Sequence, residues 1–96
     1  MGADTFLTRS RGRNVAEAFH AAVERARYED GHAGYTGTIA EKSSWTVIQP
    51  AAGESPEDCA NRLLDDDDRR IADKWGPAGA IKVGDGDWLF FGWASS

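Results

Sequence analysis

The segment Trp88–Trp93 constrains the fold most, because it is apolar on both faces of an extended strand. Successive side chains of a strand point to opposite faces, and a small antiparallel sheet commonly leaves one face polar and wet. Here one face of the strand carries Phe90 and the other carries Phe91, so the apolar side chains of both faces need to be covered. One set can face a core, and the other must meet a second layer, a second subunit or a ligand.

The chain length favours one domain with a thin core. A chain of 96 residues suits a single unit, and a chain of that size buries about 60–65% of its surface. Four Trp and four Phe residues therefore supply a large share of the packing. We expect residues 1–13 to form an extended lead-in or arm and residues 14–96 to form a single α+β domain.

The charge is acidic and unevenly distributed. The formal net charge of -5 lies entirely in the second half of the chain, because residues 1–48 carry six basic and six acidic side chains. This balance argues against binding to double-stranded nucleic acid or to an anionic membrane. The only basic patch contains Arg9, Arg11 and Arg13. It predicts a solvated arm or, alternatively, a contact for a phosphate or a partner.

The single cysteine, Cys59, lies on an apolar helix stripe and is expected to be a packed core thiol. One cysteine excludes an internal disulfide and fits a reducing compartment. The sequence shows neither a signal peptide nor an apolar stretch of membrane-spanning length. We therefore expect a cytoplasmic protein.

Caps and apolar spacing predict two helices. Asn14 and Glu17 form a capping box before apolar residues repeated at three- and four-residue steps, and Gly31 is a natural stop. Ser55-Pro56 starts the second helix with a cap and a proline at the first position. The run Asp65–Asp68 should break that helix, because aspartate competes for its own backbone.

Two hairpins supply four predicted strands. Thr36–Glu41 and Trp45–Gln49 make the first hairpin, and Ala80–Val83 and Trp88–Trp93 make the second. Thr5–Thr8 is a candidate for a further short edge strand. The order α-β-β-α-β-β predicts an α+β fold in which two helices pack on one face of a four-stranded antiparallel sheet.

The segment Gly34–Thr38 is the first candidate site. Its glycines allow a ligand to approach the backbone, and its hydroxyl groups offer hydrogen bonds. The side chains expected to line a pocket at this helix-to-strand junction are His32, Tyr35, Thr36, Thr38 and Glu41. The alternative is structural: the glycines serve a turn and a bulge, and the tyrosine packs.

Two acidic segments predict no metal site. A calcium loop needs oxygen ligands at alternate positions, a glycine turn and a distal glutamate, and Asp65–Asp68 has no such pattern. We expect a solvated acidic corner there, or a contact for a basic partner. A hairpin turn accounts for Gly84–Asp87. Two histidines and one cysteine do not make a zinc site at these spacings, and no cofactor is predicted.

Catalysis and stacking are the remaining alternatives. His32 and Glu41 are candidates for the acid and base of a small hydrolase, although no spacing forces them together. Exposed aromatics can stack a nucleotide or form a subunit interface. The candidates for such a platform are Trp45, Trp88, Phe90 and Trp93. Because these rings exceed what two short helices would cover, we predict a homo-oligomer.

Two stretches resemble small proteins carried by phages and prophages of high-GC hosts and by archaeal viruses. They are Gly34–Lys42, and Lys74–Ile81 leading to Phe91–Ser95. The resemblance extends over most of the chain from Asn14 onward. It implies a viral or mobile-element setting and carries over no activity and no functional residue. Small acidic proteins in that setting often act by binding, either to a host defence protein or to a signal.

The sequence thus predicts a non-enzymatic binding protein, encoded by a phage, that binds a host protein or a small nucleotide-like ligand. The alternatives are a small hydrolase and a structural or assembly protein of a virion. The predicted contact residues are His32, Tyr35, Thr36, Thr38, Trp88, Trp93 and Arg11.

Overall fold

The computed structural model describes residues 2–30 and 35–96, without the side chain of Asp30. The strands are β1 (Ala3–Arg11), β2 (Trp45–Val47), β3 (Ala78–Gly84) and β4 (Asp87–Ser95). The helices are α1 (Val15–Asp30) and α2 (Pro56–Asp65), and a short 3₁₀ turn covers Ile39–Glu41. The predicted α+β class, with two helices and a four-stranded sheet, is confirmed.

The sheet is mixed, so the predicted antiparallel sheet is wrong. The strand order is β1-β4-β3-β2, in which β4 runs antiparallel to both neighbours and β2 runs parallel to β3. The chain leaves β2, crosses through α2 and returns as β3, and such a crossover makes the two strands parallel. The observed order is β-α-β-α-β-β, because the extended lead-in supplies β1 and the first predicted hairpin is absent.

The first hairpin fails because Thr36–Glu41 is not a strand. The hydroxyl of Thr38 accepts a hydrogen bond from the backbone N–H of Ala40 at 3.2 Å and caps the 3₁₀ turn. Threonine hydroxyls offer the backbone this alternative to a sheet ladder. Gly37 has φ +70°, which interrupts an extended strand. The next strand, β2, is correspondingly short and ends at Val47.

The predicted helix starts are confirmed by their caps. The side-chain oxygen of Asn14 accepts from the backbone N–H of Glu17 at 2.9 Å, and Ser55 Oγ accepts from that of Asp58 at 3.1 Å. The second helix ends at the acidic run, where Asp67 has φ 49°. The turn after it places Ile71 in the core and leaves Trp75 61% exposed.

Each face of the sheet carries one helix, which corrects the expectation that both helices lie on the same face. Phe90 packs in a cluster with α1, and Phe91 packs in a second cluster with α2. Both rings are fully buried. The second layer demanded by the two-faced strand is therefore α2, and the buried Cys59 belongs to it.

The pairing of β1 with β4 determines which backbone groups of β1 face its outer edge. Gly2 and Ser96 exchange both backbone hydrogen bonds, and Gly12 donates to Gly86. In an antiparallel pair the hydrogen-bonded residues alternate, so the even-numbered residues of β1 bond β4 and the odd-numbered ones turn their N–H and C=O groups outward. One of these outward groups, the Arg9 carbonyl, accepts from Arg25 Nη2 at 2.8 Å.

Candidate functional site

Two exposed aromatic rings form a pair at the surface. The rings of Tyr35 and Trp75 meet edge to face, with centroids 5.4 Å apart and an interplanar angle of 75°. Their residues are 51% and 61% exposed. Such geometry is favoured between aromatic side chains, and their outer surfaces stay open to a partner. We call Tyr35 and Trp75 the aromatic pair.

A buried ammonium group holds the loop that carries Trp75. Lys42 is only 3% exposed. Its Nζ donates to the backbone carbonyls of Asp73, Lys74 and Gly76 at 3.3, 3.2 and 3.0 Å. Burial lowers the pKa of this lysine, and the negative charge of Asp73 opposes the change. The three hydrogen bonds use all three protons of the ammonium group, so Lys42 fixes the backbone of the loop that carries Trp75.

The polar groups of the predicted threonine site form hydrogen bonds with one another. The backbone N–H and the hydroxyl of Thr36 both donate to Glu41 Oε2, at 3.1 and 2.9 Å. The hydroxyls of Thr36 and Thr38 lie 2.8 Å apart. These groups shape the turn beside Tyr35, and one oxygen of the carboxylate assigned to acid–base chemistry is occupied by Thr36. His32 and Gly34 lie outside the described residues, so pairing of His32 with Glu41 stays a prediction.

The structure separates Arg11 from Tyr35. The segment that follows Tyr35 is tied to the end of β4, since the N–H of Gly37 donates to the Ser95 carbonyl at 2.8 Å. Arg11 lies opposite Asp87 at the other end of β4. Eight steps along β4 at about 3.3 Å each give a separation of about 26 Å. Arg11 and Tyr35 therefore cannot contact one small ligand together.

The predicted aromatic platform is divided between the two sheet faces. Trp88 and Trp45 pack beside the α1 cluster, and Trp93 packs beside the α2 cluster. Both Trp88 and Trp93 are half-buried. Within the described part of the chain, the buried Nε1 of Trp93 has no hydrogen-bond partner. Because the helices cover both faces of the sheet, the number of aromatic rings no longer requires a second subunit. The homo-oligomer itself stays a prediction.

An open cavity of about 570 Å³ lies beside the outer edge of β1. Arg9 is neutralised, since its Nη2 lies 2.6 Å from Asp87 and its Nη1 lies 3.5 Å from Glu57. In residues 2–30 and 35–96, the Arg11 side chain makes no hydrogen bond or ion pair. The lining residues are Arg9, Ser10, Arg11, Ala21, Arg25 and Asp87.

One aspartate of the acidic corner Asp65–Asp68 pairs with an arginine. Asp68 accepts from Arg70 Nε at 2.9 Å, and this arginine holds the pKa of the Asp68 carboxyl at about 2. Among the described residues, no three histidine, cysteine or acidic side chains are grouped as metal ligands would be. Likewise, none of the described helices combines the length and the apolarity needed to cross a membrane.

No protein-family model, curated protein or solved structure matches this chain. The candidate site therefore rests on the geometry alone. Sequence reasoning identified Tyr35 and missed its two supports. Trp75 was not among the predicted contact residues, and Lys42 carried no signal, because its acceptors are backbone carbonyls of a distant loop.

Proposed function

We propose that this protein is a non-enzymatic binding protein that presents the aromatic pair to a partner protein. The observation that carries the proposal is the support of Trp75 by Lys42. Removing an ammonium group from water is costly unless its protons are satisfied. Here the three hydrogen bonds hold an exposed loop, which is what a preorganised binding surface requires.

The chemistry of the pair suits a protein partner. Tyrosine and tryptophan are enriched among the residues that dominate binding energies at interfaces. Lys74 places its Nζ 5.5 Å from the Trp75 ring centroid, so a cation already covers part of that ring. The net charge of -5 favours a partner with a basic surface. Resemblance to phage and prophage proteins supports a host protein, met in the host cytoplasm, as that partner.

The test is a matched pair of exposed aromatic substitutions. A photo-crosslinking amino acid at the exposed position Ala72 identifies the partner in a host extract, and calorimetry with that purified partner measures affinity. We expect Trp75→Ala to weaken binding by about 30-fold, the effect of losing a typical interface anchor. Tyr28→Ala, which removes a side chain that is 90% exposed on α1, should leave the affinity unchanged.

Two results would contradict the proposal. One is that Trp75→Ala and Tyr35→Ala both bind the crosslinked partner with the same affinity as the wild-type protein. The other is recovery of the chain in stoichiometric amounts from purified virus particles, which would favour the virion alternative.

The predicted homo-oligomer has its best support at the outer edge of β1. Between the Gly2–Ser96 bonds and the Arg25 contact, the odd residues from Ala3 to Leu7 turn outward backbone groups that bond no other described residue. Two copies paired antiparallel about Thr5 would oppose Ala3 and Leu7, place no like charges directly opposite each other between Ala3 and Leu7, and cover Leu7, which is 43% exposed. Light scattering should then show a dimer that Thr5→Pro converts to monomer; a wild-type monomer at high concentration would contradict it.

A further inference from the structure

The cavity beside β1 is positively charged on an acidic protein. Its lining carries three arginines and one aspartate, which gives 3 − 1 = +2, whereas the whole chain carries -5. A polyanion such as duplex nucleic acid would also meet the net negative charge of the rest of the chain, but a small anion can enter the cavity alone. The charge distribution therefore selects a compact anionic group.

The donors around the cavity are unequally occupied. Arg9 is held by Asp87 and Glu57, so its charge is already compensated. Arg25 donates one hydrogen bond from Nη2 to the Arg9 carbonyl, and its remaining guanidinium N–H groups can donate to a ligand. Within the part of the chain that the structure describes, the Arg11 guanidinium makes no hydrogen bond or ion pair, and, together with the hydrogen bond from Arg9, its charge lowers the pKa of the nearby Asp87 carboxyl. Two guanidinium groups can therefore donate to a ligand.

The backbone adds a donor on the same side. Arg11 is an odd-numbered residue of β1, so its N–H points away from β4 and toward the outer edge, as the Arg9 carbonyl does. The neighbouring Ser10 is 4% exposed and lines the cavity. A strand edge, a serine residue and two arginines thus line one space.

We propose that this cavity binds a phosphoryl group, with the Arg11 and Arg25 side chains and the Arg11 N–H as donors. A phosphate monoester carries close to two negative charges near neutral pH, which matches the charge of the lining. Its oxygens accept the parallel N–H groups of a guanidinium in bidentate fashion. The cavity volume falls within the range of small-molecule sites, so a phosphorylated small molecule fits.

Calorimetry with adenosine 5′-monophosphate, inorganic phosphate and adenosine tests the proposal. We expect saturable binding of the monophosphate and none of adenosine. Arg11→Gln and Arg25→Gln should each weaken binding about tenfold or more, as expected for loss of a charge-assisted hydrogen bond. Arg27→Gln removes the same charge from an exposed position of α1 outside the cavity and should change little.

The outcomes separate the possible ligands. Binding of inorganic phosphate as tight as that of the monophosphate would support a site for free phosphate, and a clear preference for the monophosphate would support a phosphorylated small molecule. Equal binding of adenosine and the monophosphate would overturn the proposal. So would the absence of saturation at about 1 mM, or full affinity in folded Arg11→Gln protein.

This site goes beyond the proposed function and can fail separately from it. The aromatic pair and Arg11 lie toward opposite ends of β4. Trp75→Ala should therefore leave phosphate binding unchanged, and Arg11→Gln should leave binding of the partner protein unchanged.

Discussion

Replacing Gly79 with alanine tests how closely β3 and β4 pack. Gly79 lies opposite Phe91 in the ladder, and the phenyl ring covers the glycine. A Cβ at position 79 would lie 2.5 Å from Phe91 Cε1 and 3.0 Å from Cε2. Carbon atoms in contact normally lie about 3.5–4.0 Å apart, so the ring would have to move by about 1 Å.

The ring has little room for that movement. Phe91 is fully buried in the α2 cluster with Leu63 and Ile81. Overpacking of this kind costs about 1–3 kcal/mol, and the better strand preference of alanine returns about 0.5–1 kcal/mol. We therefore expect Gly79→Ala to lower the free energy of unfolding by about 1–2 kcal/mol, which corresponds to a fall in Tm of about 5–15 °C for a domain of this size.

Urea denaturation gives the free energies, and a second glycine of the same strand provides the control. A Cβ at Gly84 would have no heavy atom within 4 Å, so Gly84→Ala should leave stability unchanged or raise it by up to about 1 kcal/mol through the strand preference of alanine. In a double-mutant cycle, Phe91→Leu should relieve part of the Gly79→Ala cost, because it removes the ring that clashes. Equal stability of the two alanine variants would refute the packing argument.

Three further substitutions test other parts of the fold. Lys42→Met leaves three carbonyls without their donor, so we expect about 2–4 kcal/mol less stability in urea and faster amide exchange in the loop; unchanged exchange would contradict the support of that loop. Ser55→Ala removes the α2 cap and should cost about 1 kcal/mol, with Ser55→Asn close to wild type. Arg62 holds the pKa of Glu54 at about 2, below its ordinary 4.5, so the stability from this pair is present above pH 4.5 and is lost toward pH 2. The Tm difference between wild type and Glu54→Gln should shrink over that range, and a constant difference would contradict this account.

Local chemistry made the helices and the second hairpin predictable. The Asn14 and Ser55 caps act within three residues of the chain, and each helix begins directly after its cap. In the turn between β3 and β4, Gly86 has φ +67°, which glycine adopts without cost. Signals of this range do not depend on distant residues, so sequence reasoning found them.

The errors arose where two local preferences competed or where a partner was remote. In Thr36–Glu41 the strand preference of threonine competed with its ability to bond nearby backbone, and the bonds to Glu41 prevailed. Tyr35 was predicted to be a contact residue, yet its companion Trp75 comes from a loop that Lys42 holds across more than thirty positions of sequence. No periodic pattern in the sequence predicts such a contact.

By itself, the sequence determined that a strand apolar on both faces would need cover on each side, because side chains alternate along any strand whatever its neighbours. It also determined the helix starts and the hairpin turn, through caps and glycine. Only the tertiary structure decided that α2 supplies the second cover, that β2 pairs parallel to β3, and that Arg11 and Tyr35 lie far apart. Those outcomes depend on which distant segments meet, and that choice is made by the total packing of the chain rather than by any local pattern.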